Sequence, residues 1–457
     1  MAEGWKRRWK PSGKKSKLSL IPILEVHPFR PTSIIKWELP VSKSHAIRYL
    51  ILAAQSNDVV SFSNMKNAGE DIVAMKDCLA QLGVKIEEAD DAWIVHGVGP
   101  NGFHPSRTVL NARNSGVTFR CIVALSSRID GVSMVDGDAS LRKRPHGELI
   151  KSLEQMNIEV SFGTKEESLP LLFQGNPHTI DKLYVDGSRT SQPITAWICA
   201  SPGFEHGLTI QTQGDLVSTR HSELSIELAK EHSADIEQNG NQIIIQPWTP
   251  SFKDDSSSIK IPSDASMISF AMLAGKALNA TIQVENLPSK EQSIGHEILS
   301  DVASQLGIDI DAGRITNCVS TEFAHIDLRD ANDLITPLSA ILALSSGGKI
   351  SSISHAAYKE SNRIDSTIRL LHQFGLKSTF IDNALEVEGQ QQLTTPTDVV
   401  KTYGDHRIQM TATILALACD GKVMVEGSSL HTVADPDAVN RFIQAGAQIT
   451  TSLHNPN

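Results

Sequence analysis

The chain has 457 residues and 49.7 kDa, which suggests two or three domains at roughly 150 residues each. A hydrophobic share of 40% with 21% charged supplies large cores and excludes wholesale disorder, while only 5% aromatics means those cores are built from Ala, Leu, Ile and Val. The formal net charge is −10, but residues 1–17 carry seven basic side chains against Glu3, so the body stands near −16, which argues against a nucleic-acid-binding protein.

The basic start (Lys6, Arg7, Arg8, Lys10, Lys14, Lys15, Lys17) lacks the apolar stretch of a secretory signal. Residues 1–32 are expected to be a solvated, disordered tail. No run approaches the ~18 apolar residues of a membrane span.

From residue 42 onward one pattern recurs six times. A polar tip opens a helix of small and apolar residues, and an alternating strand follows. The first tip is Ser42-Lys43-Ser44 into AIRYLILAA, and the second is Asn114-Ser115-Gly116 into VTFRCIVAL. The third is Thr190-Ser191-Gln192 into PITAWICAS, and the fourth is Ser263-Asp264-Ala265-Ser266 into MISFAMLAGKAL. Asn332-Asp333 into LITPLSAILAL and Gly404-Asp405-His406-Arg407 into IQMTATILALA complete the set. With Lys43, Asn114, Thr190, Asp264, Asp333 and Asp405 as markers, the intervals are 71, 76, 74, 69 and 72 residues. A period near 70 over the whole body signals a repeat architecture.

The strands read DVVSFSNM, GVSMVDGD, GLTIQTQG, ATIQVENL, GKISSISH and GKVMVEGS, each alternating as a half-buried strand does. A second, amphipathic helix follows each of them. Three of these helices end at Gly83, Gly307 and Gly375, residues suited to the left-handed C′ position. The first helix of each unit is apolar nearly all round and so belongs inside a domain. Six units are too many for one core and fit two domains of three, with a break in the polar stretch 246–258.

The tips lie at helix N-termini, where unpaired N–H groups and the helix dipole favour anions. Ordinary N-capping explains Ser266 or Asn332 taken alone. Arg48, Arg120 and Arg407 open otherwise apolar helices, where an unpaired cation is costly, so an anionic ligand is the economical partner. Two opposed sets of tips would hold a heavily anionic small molecule. Acid–base candidates are Asp333, after Asp327 and Asp330, and Lys359-Glu360 with Arg363 one turn on. The five scattered cysteines, none at C-x-x-C spacing, are read as reduced, buried thiols of a cytoplasmic protein. Sixteen histidines show no paired ligand spacing, so no metal is expected.

Eight segments in order resemble the EPSP synthase family of enolpyruvyl transferases, over about residues 33–450. They are LPVSKSHAIRYLILAA, NSGVTFR, GDASLRKRP, RTSQPITAWICASP, IPSDASMISF, ANDLITPLSAILAL, YKESNR and YGDHRIQM. The resemblance implies an α/β fold of two domains, each of three βαβαββ repeats around buried parallel helices (an inside-out α/β barrel). It places 33–40 plus 247–457 in one domain and 41–246 in the other. It implies transfer of the enolpyruvyl group of phosphoenolpyruvate to the 5-hydroxyl of shikimate 3-phosphate by a cytoplasmic monomer, without cofactor or metal and with no nucleic-acid or membrane partner. Lys43, Asp333 and Glu360 would be catalytic. Lys43, Ser44, Arg48, Thr190, Ser191, Gln192, Ser218, Asp333 and Lys359 would hold shikimate 3-phosphate. Lys43, Gly116, Arg144, Gln192, Arg363 and Arg407 would hold phosphoenolpyruvate. Val41, Val117 and Asn362 depart from the family pattern, and near the family's late Lys this chain has His431. Transfer to another phosphorylated acceptor, such as a nucleotide, and a non-catalytic metabolite-binding paralogue are the alternative readings.

Overall fold

The computed structural model describes residues 20–163, 168–176, 180–252 and 258–455. The basic cluster at 6–17 lies outside them. Twelve helices follow in chain order: α1 Lys43–Ala54, α2 Glu70–Gln81, α3 Gly116–Ser126, α4 Gly147–Gln155, α5 Gln192–Ala200, α6 Thr219–Glu231, α7 Ile268–Leu278, α8 Ile298–Val302, α9 Ile335–Leu344, α10 Arg363–Gln373, α11 His406–Ala418 and α12 Asn440–Gln444. The odd-numbered ones are the apolar helices of the six units. From Ile335 to Ala343 every residue of α9 is buried, and α11 is buried along its whole length except at Ala418. Each buried Leu or Ile contributes roughly 1.5–3 kcal/mol, so these helices carry much of the driving force for folding. Two separate apolar cores result. One is drawn from residues 41–261 together with Ile294, the other from 24–39 and 267–449.

Each complete unit forms a four-stranded sheet with one pairing plan. In the unit of α3 and α4, Leu110–Asn111 runs parallel to Gly131–Asp136. Leu171–Gly175 pairs antiparallel with the latter, and Val160–Phe162 pairs antiparallel with Leu171–Gly175. Gly83, Gly307 and Gly375 close α2, the turns after α8, and α10 with φ of 104°, 67° and 76°, the conformation glycine adopts without steric cost. The second helices of the fourth and sixth units are shorter than their patterns suggest, five residues each in α8 and α12.

Long-range pairing revises the boundaries read from sequence. Ile21–Val26, placed there in the tail, is the central strand of a three-stranded sheet between Val423–Glu426 and Ile449–His454. Its alternate residues Leu24 and Val26 belong to the second core, which no local signal could assign. Likewise the break at 246–258 is not where the chain leaves the first core. Trp248, Phe252 and Ile261 are buried in that core, and Ile259–Lys260 runs parallel to Val59–Ser63 in the sheet of the first unit. Ile35–Trp37 in turn supplies the parallel first strand to Ile282–Val284 of the fourth unit. Each half therefore receives a strand from the chain segment that is about to leave it. The two crossings lie side by side. Ser42 N–H donates to the Pro262 carbonyl and Asp264 N–H to the Pro40 carbonyl, both at 2.8 Å.

Candidate active site

The tips of α1, α3 and α5 from the first half and of α9 from the second face a cleft of about 990 Å³ of empty space, part of it open solvent. From the first half come Lys43, Ser44 and Arg48 on α1, Gly116 on α3, Arg144, then Thr190, Ser191 and Gln192 at the start of α5, and Ser218 before α6. From the second come Asp333, Lys359 and Glu360. Those are twelve of the fourteen residues expected from sequence. The other two, Arg363 and Arg407, lie directly behind Asp333 and are 0% and 1% exposed.

Local structure explains the placement. Ser42, Ser115 and Asp405 are N-caps whose side chains accept from His45, Thr118 and Arg407 N–H groups; α1 and α3 thereby begin at the cleft wall, whereas α11 begins behind it, where Asp405 meets Arg363. Asp264, rather than Ser266, caps the fourth unit. Asn332 caps nothing; its Nδ2 donates to Ser218 Oγ at 3.2 Å across the cleft. Ser218 has φ 53°, a costly conformation for a residue with a Cβ. Its N–H bond to the Arg329 carbonyl and the Asn332 contact hold it there.

The buried arginines Arg48, Arg120 and Arg407 have protein partners, neutral acceptors in every case apart from the Asp333 carboxylate 3.6 Å from Arg407. Arg48 donates to Ser225 Oγ, to the Ser44 and His221 carbonyls and to Thr195 Oγ1. Arg120 donates to the Gly116 and Pro145 carbonyls and to Gln192 Oε1. Arg407 donates to the Asp333 carbonyl and to Ser266 Oγ. Acceptors from their own helix and from distant segments bond these guanidinium groups, and Arg407 Nε has no partner among the described residues.

Arg363 is the centre of the acidic side. Its Nη1 meets Asp333 Oδ1 at 2.8 Å and its Nε meets Asp405 Oδ2 at 3.0 Å, while Nη2 bonds Glu360. Burial works against its charge, and the three carboxylates more than offset it, so Arg363 stays protonated. Burial likewise pushes the Asp333 carboxyl up, but Arg407 (3.6 Å), Lys359, Arg363 and Lys43 outweigh it and hold Asp333 well below the carboxylate range. Glu360 follows the same logic: burial raises it, and Arg363 and Arg144 bring it well below. Arg144 sits 3.9 Å from Glu360 and has a buried Nε without a partner among the described residues. Lys359 is lowered by burial. Lys43 would also be lowered by burial, but Asp71, Asp333 and Glu360 raise it. The site thus contains two fixed carboxylates, a fixed ammonium and a second lysine closer to deprotonation.

Several cleft residues were not among the site residues expected from sequence. Asp71, on α2 and 5% exposed, is 3.3 Å from Lys43 Nζ; burial raises its carboxyl. Arg189, His221, His296 and His355 also line the cleft. An exposed-looking His or Asp within an amphipathic helix gives no sequence signal until the opposite half covers it. His431 is not in the cleft wall. It is buried beside Trp37, Phe270 and Gln409 around a small, mostly apolar cavity of the second half. Four cysteines are buried as expected, but Cys318 is exposed, and all five are free. Among the described residues no helix is long and apolar enough to cross a membrane, and no three His, Cys, Asp or Glu side chains are grouped to hold a metal ion.

Comparison with known proteins agrees with this fold. The family model for EPSP synthase (3-phosphoshikimate 1-carboxyvinyltransferase) matches residues 33–441. A protein named 3-phosphoshikimate 1-carboxyvinyltransferase from Methanothermobacter thermautotrophicus is 26% identical, over 90% of this chain and 96% of its own. One of the same name from Caldicellulosiruptor saccharolyticus is 29% identical, over 88% and 94%. The structure of EPSP synthase from Acinetobacter baumannii has TM-score 0.72 at 21% identity, covering 94% of this chain and all of that one. The enolpyruvyl transferase NikO from Streptomyces tendae has TM-score 0.71 at 15% identity, covering 95% of this chain and all of that one.

Proposed function

This chain belongs to the EPSP synthase family of transferases, and on that premise we propose that it moves the enolpyruvyl group of phosphoenolpyruvate onto the 5-hydroxyl of shikimate 3-phosphate, releasing phosphate. The observation that carries the reading is Asp333, a carboxylate held ionised by Arg363 and Arg407 at the edge of a cleft lined with cations from both halves.

In this reading the acceptor hydroxyl donates a hydrogen bond to Asp333. The proton passes to Asp333 as the hydroxyl oxygen bonds C2 of phosphoenolpyruvate, and C3 gains a proton from Lys43 or Glu360. The tetrahedral adduct then loses phosphate, and the C3 proton returns to the protein. Lys43, Arg144 and Gln192 hold the phosphoenolpyruvate anion, with Gly116 leaving room for it. A Cβ there would stand 3.0 Å from both Arg120 Nη1 and Gln192 Oε1 and 3.2 Å from Arg144 Nη1. Ser44, Thr190, Ser191 and Ser218 take the acceptor phosphate, and Lys359 its ring oxygens. Arg363 and Arg407 act from behind, orienting Glu360 and Asp333, while Arg48, in the cleft wall on the acceptor side, also holds α6 through the His221 carbonyl. The enzyme works as a cytoplasmic monomer on two small anions, without cofactor or metal.

Incubation with phosphoenolpyruvate and shikimate 3-phosphate, following phosphate release, tests this. Turnover is expected. No release with shikimate 3-phosphate, but release with another phosphorylated alcohol, would replace the acceptor. Tight binding of both ligands without turnover would refute an enzymatic role.

A further inference from the structure

Two histidines at the cleft have no part in the scheme above. His221 lies in the first turn of α6, on the first half, and His296 lies just before α8, on the second. Both line the cleft, and their rings meet edge to face with centroids 6.3 Å apart. They differ in kind from the cations around them. His296 Nδ1 is 2.8 Å from the Ser293 carbonyl, a contact only an N–H makes, so the ring proton sits on Nδ1. The ring is 5% exposed, and burial holds its pKa below the ordinary value, so it is neutral near pH 7. Nε2 is then a bare acceptor, and it has no hydrogen-bond partner among the described residues. His221 Nδ1 is likewise without a partner among them. Burial and the nearby Arg48 guanidinium keep that ring neutral too, while Arg48 fixes its position by donating to the His221 carbonyl at 2.7 Å.

A lone pair on a neutral imidazole repels phosphate and carboxylate oxygens and accepts from a hydroxyl. We propose that His296 and His221 form a hydroxyl-reading edge of the acceptor site, with His296 Nε2 accepting a hydrogen bond from the acceptor's non-reacting hydroxyl. This rests on the proposed function. In shikimate 3-phosphate the phosphate occupies O3 and the reaction takes O5, so the hydroxyl left to be read is the one on C4. The cations and serines select for charge. The histidine pair, one ring from each half, discriminates among phosphorylated alcohols by what stands beside the phosphate, and does so only when the halves are together.

The test compares wild type with His296→Phe, His221→Phe and His296→Gln, using shikimate 3-phosphate and its 4-deoxy analogue. Each Phe variant is expected to raise the KM for shikimate 3-phosphate about tenfold, with the KM for phosphoenolpyruvate and kcat changed less than about threefold. His296→Gln keeps an acceptor at similar reach and should recover most of the loss. Wild type should discriminate against the 4-deoxy analogue by about tenfold, and His296→Phe should not. Absence of wild-type turnover would overturn the proposed function and this inference with it. Wild-type turnover with equal use of both acceptors would overturn the inference alone. So would Phe variants whose two KM values rise together with a lowered urea midpoint, the pattern of a purely structural role. The wild-type comparison of the two acceptors stands even if a variant fails to fold.

Discussion

Arg363→Gln removes the cation shared by three carboxylates. Arg363 is wholly buried, Asp405 is 0% exposed, and Asp333 and Glu360 keep 19% and 11% of their side-chain surface. Breaking a buried pair while leaving the charged partner costs about 3–5 kcal/mol. Here three acids lose one partner, and the remaining cations Arg407, Arg144, Lys43 and Lys359 soften the loss, so about 3–5 kcal/mol is the expected total. With two separate cores, urea unfolding should show two transitions, and only that of the second half should move. At a slope of about 2 kcal/mol per molar urea the shift is roughly 1.5–2.5 M. The pH dependence separates charge from packing. In wild type the folded-state values of Asp333 and Glu360 lie well below 3.8 and 4.5, so their stabilisation is present above those values and is lost only at lower pH. In the variant Asp333 keeps Arg407, Lys359 and Lys43, and Glu360 keeps Arg144 and Lys43, so both carboxyls rise from their depressed wild-type values without losing every cation. The folded variant therefore takes up protons at higher pH than the folded wild type does. The gap between the two proteins should be widest near pH 7 and narrow as pH falls through the variant's raised values. An unchanged urea midpoint at pH 7, or a gap that does not vary with pH, would refute the reasoning.

Gly116→Ala puts a methyl 3.0 Å from Gln192 Oε1 and Arg120 Nη1; steady-state kinetics should show the phosphoenolpyruvate KM rising about tenfold with the acceptor KM nearly constant. Asp333→Asn should lower turnover by about 10²–10⁴-fold. Calorimetry should find its shikimate 3-phosphate affinity within about threefold of wild type; wild-type turnover would remove Asp333 from the scheme. Asp71→Asn takes away a carboxylate that raises Lys43, so the alkaline limb of the kcat profile should move to lower pH; an unmoved limb would separate Lys43 from that ionisation. A chain beginning at Phe29 lacks the strand between Val423–Glu426 and Ile449–His454. Circular dichroism with urea should then show the second-half transition lost and the first retained, whereas two intact transitions would return Ile21–Val26 to the tail.

The repeat and its inner helices were legible because they depend on local facts. An all-apolar run such as LITPLSAILAL can only be buried, and a period near 70 survives without knowing what packs on what. The helix tips were legible for the same reason, since caps such as Ser42, Ser115 and Asp405 act within three residues of themselves. Resemblance of short motifs then named the family and most of the cleft. The strand exchange was not legible: Ile35–Trp37 pairs with Ile282–Val284, and Ile259–Lys260 with Val59–Ser63, about 200 or more residues away in each case.

Sequence by itself thus determined six helix–strand units, two cores and a cluster of cations at helix starts. Tertiary structure decided which of those cations remain for a ligand. Arg48 finds Ser225 and His221, and Arg407 finds Ser266 and Asp333; Arg144 bonds Asn114 and faces Glu360 in the cleft wall, with a buried Nε that has no partner among the described residues. It also decided that His221 of α6 and His296 just before α8 face each other at one cleft. The physical reason is one of range. Burial of an apolar helix follows from its own residues, but the free energy of a buried charge or a bare imidazole nitrogen is set by partners the chain supplies from elsewhere.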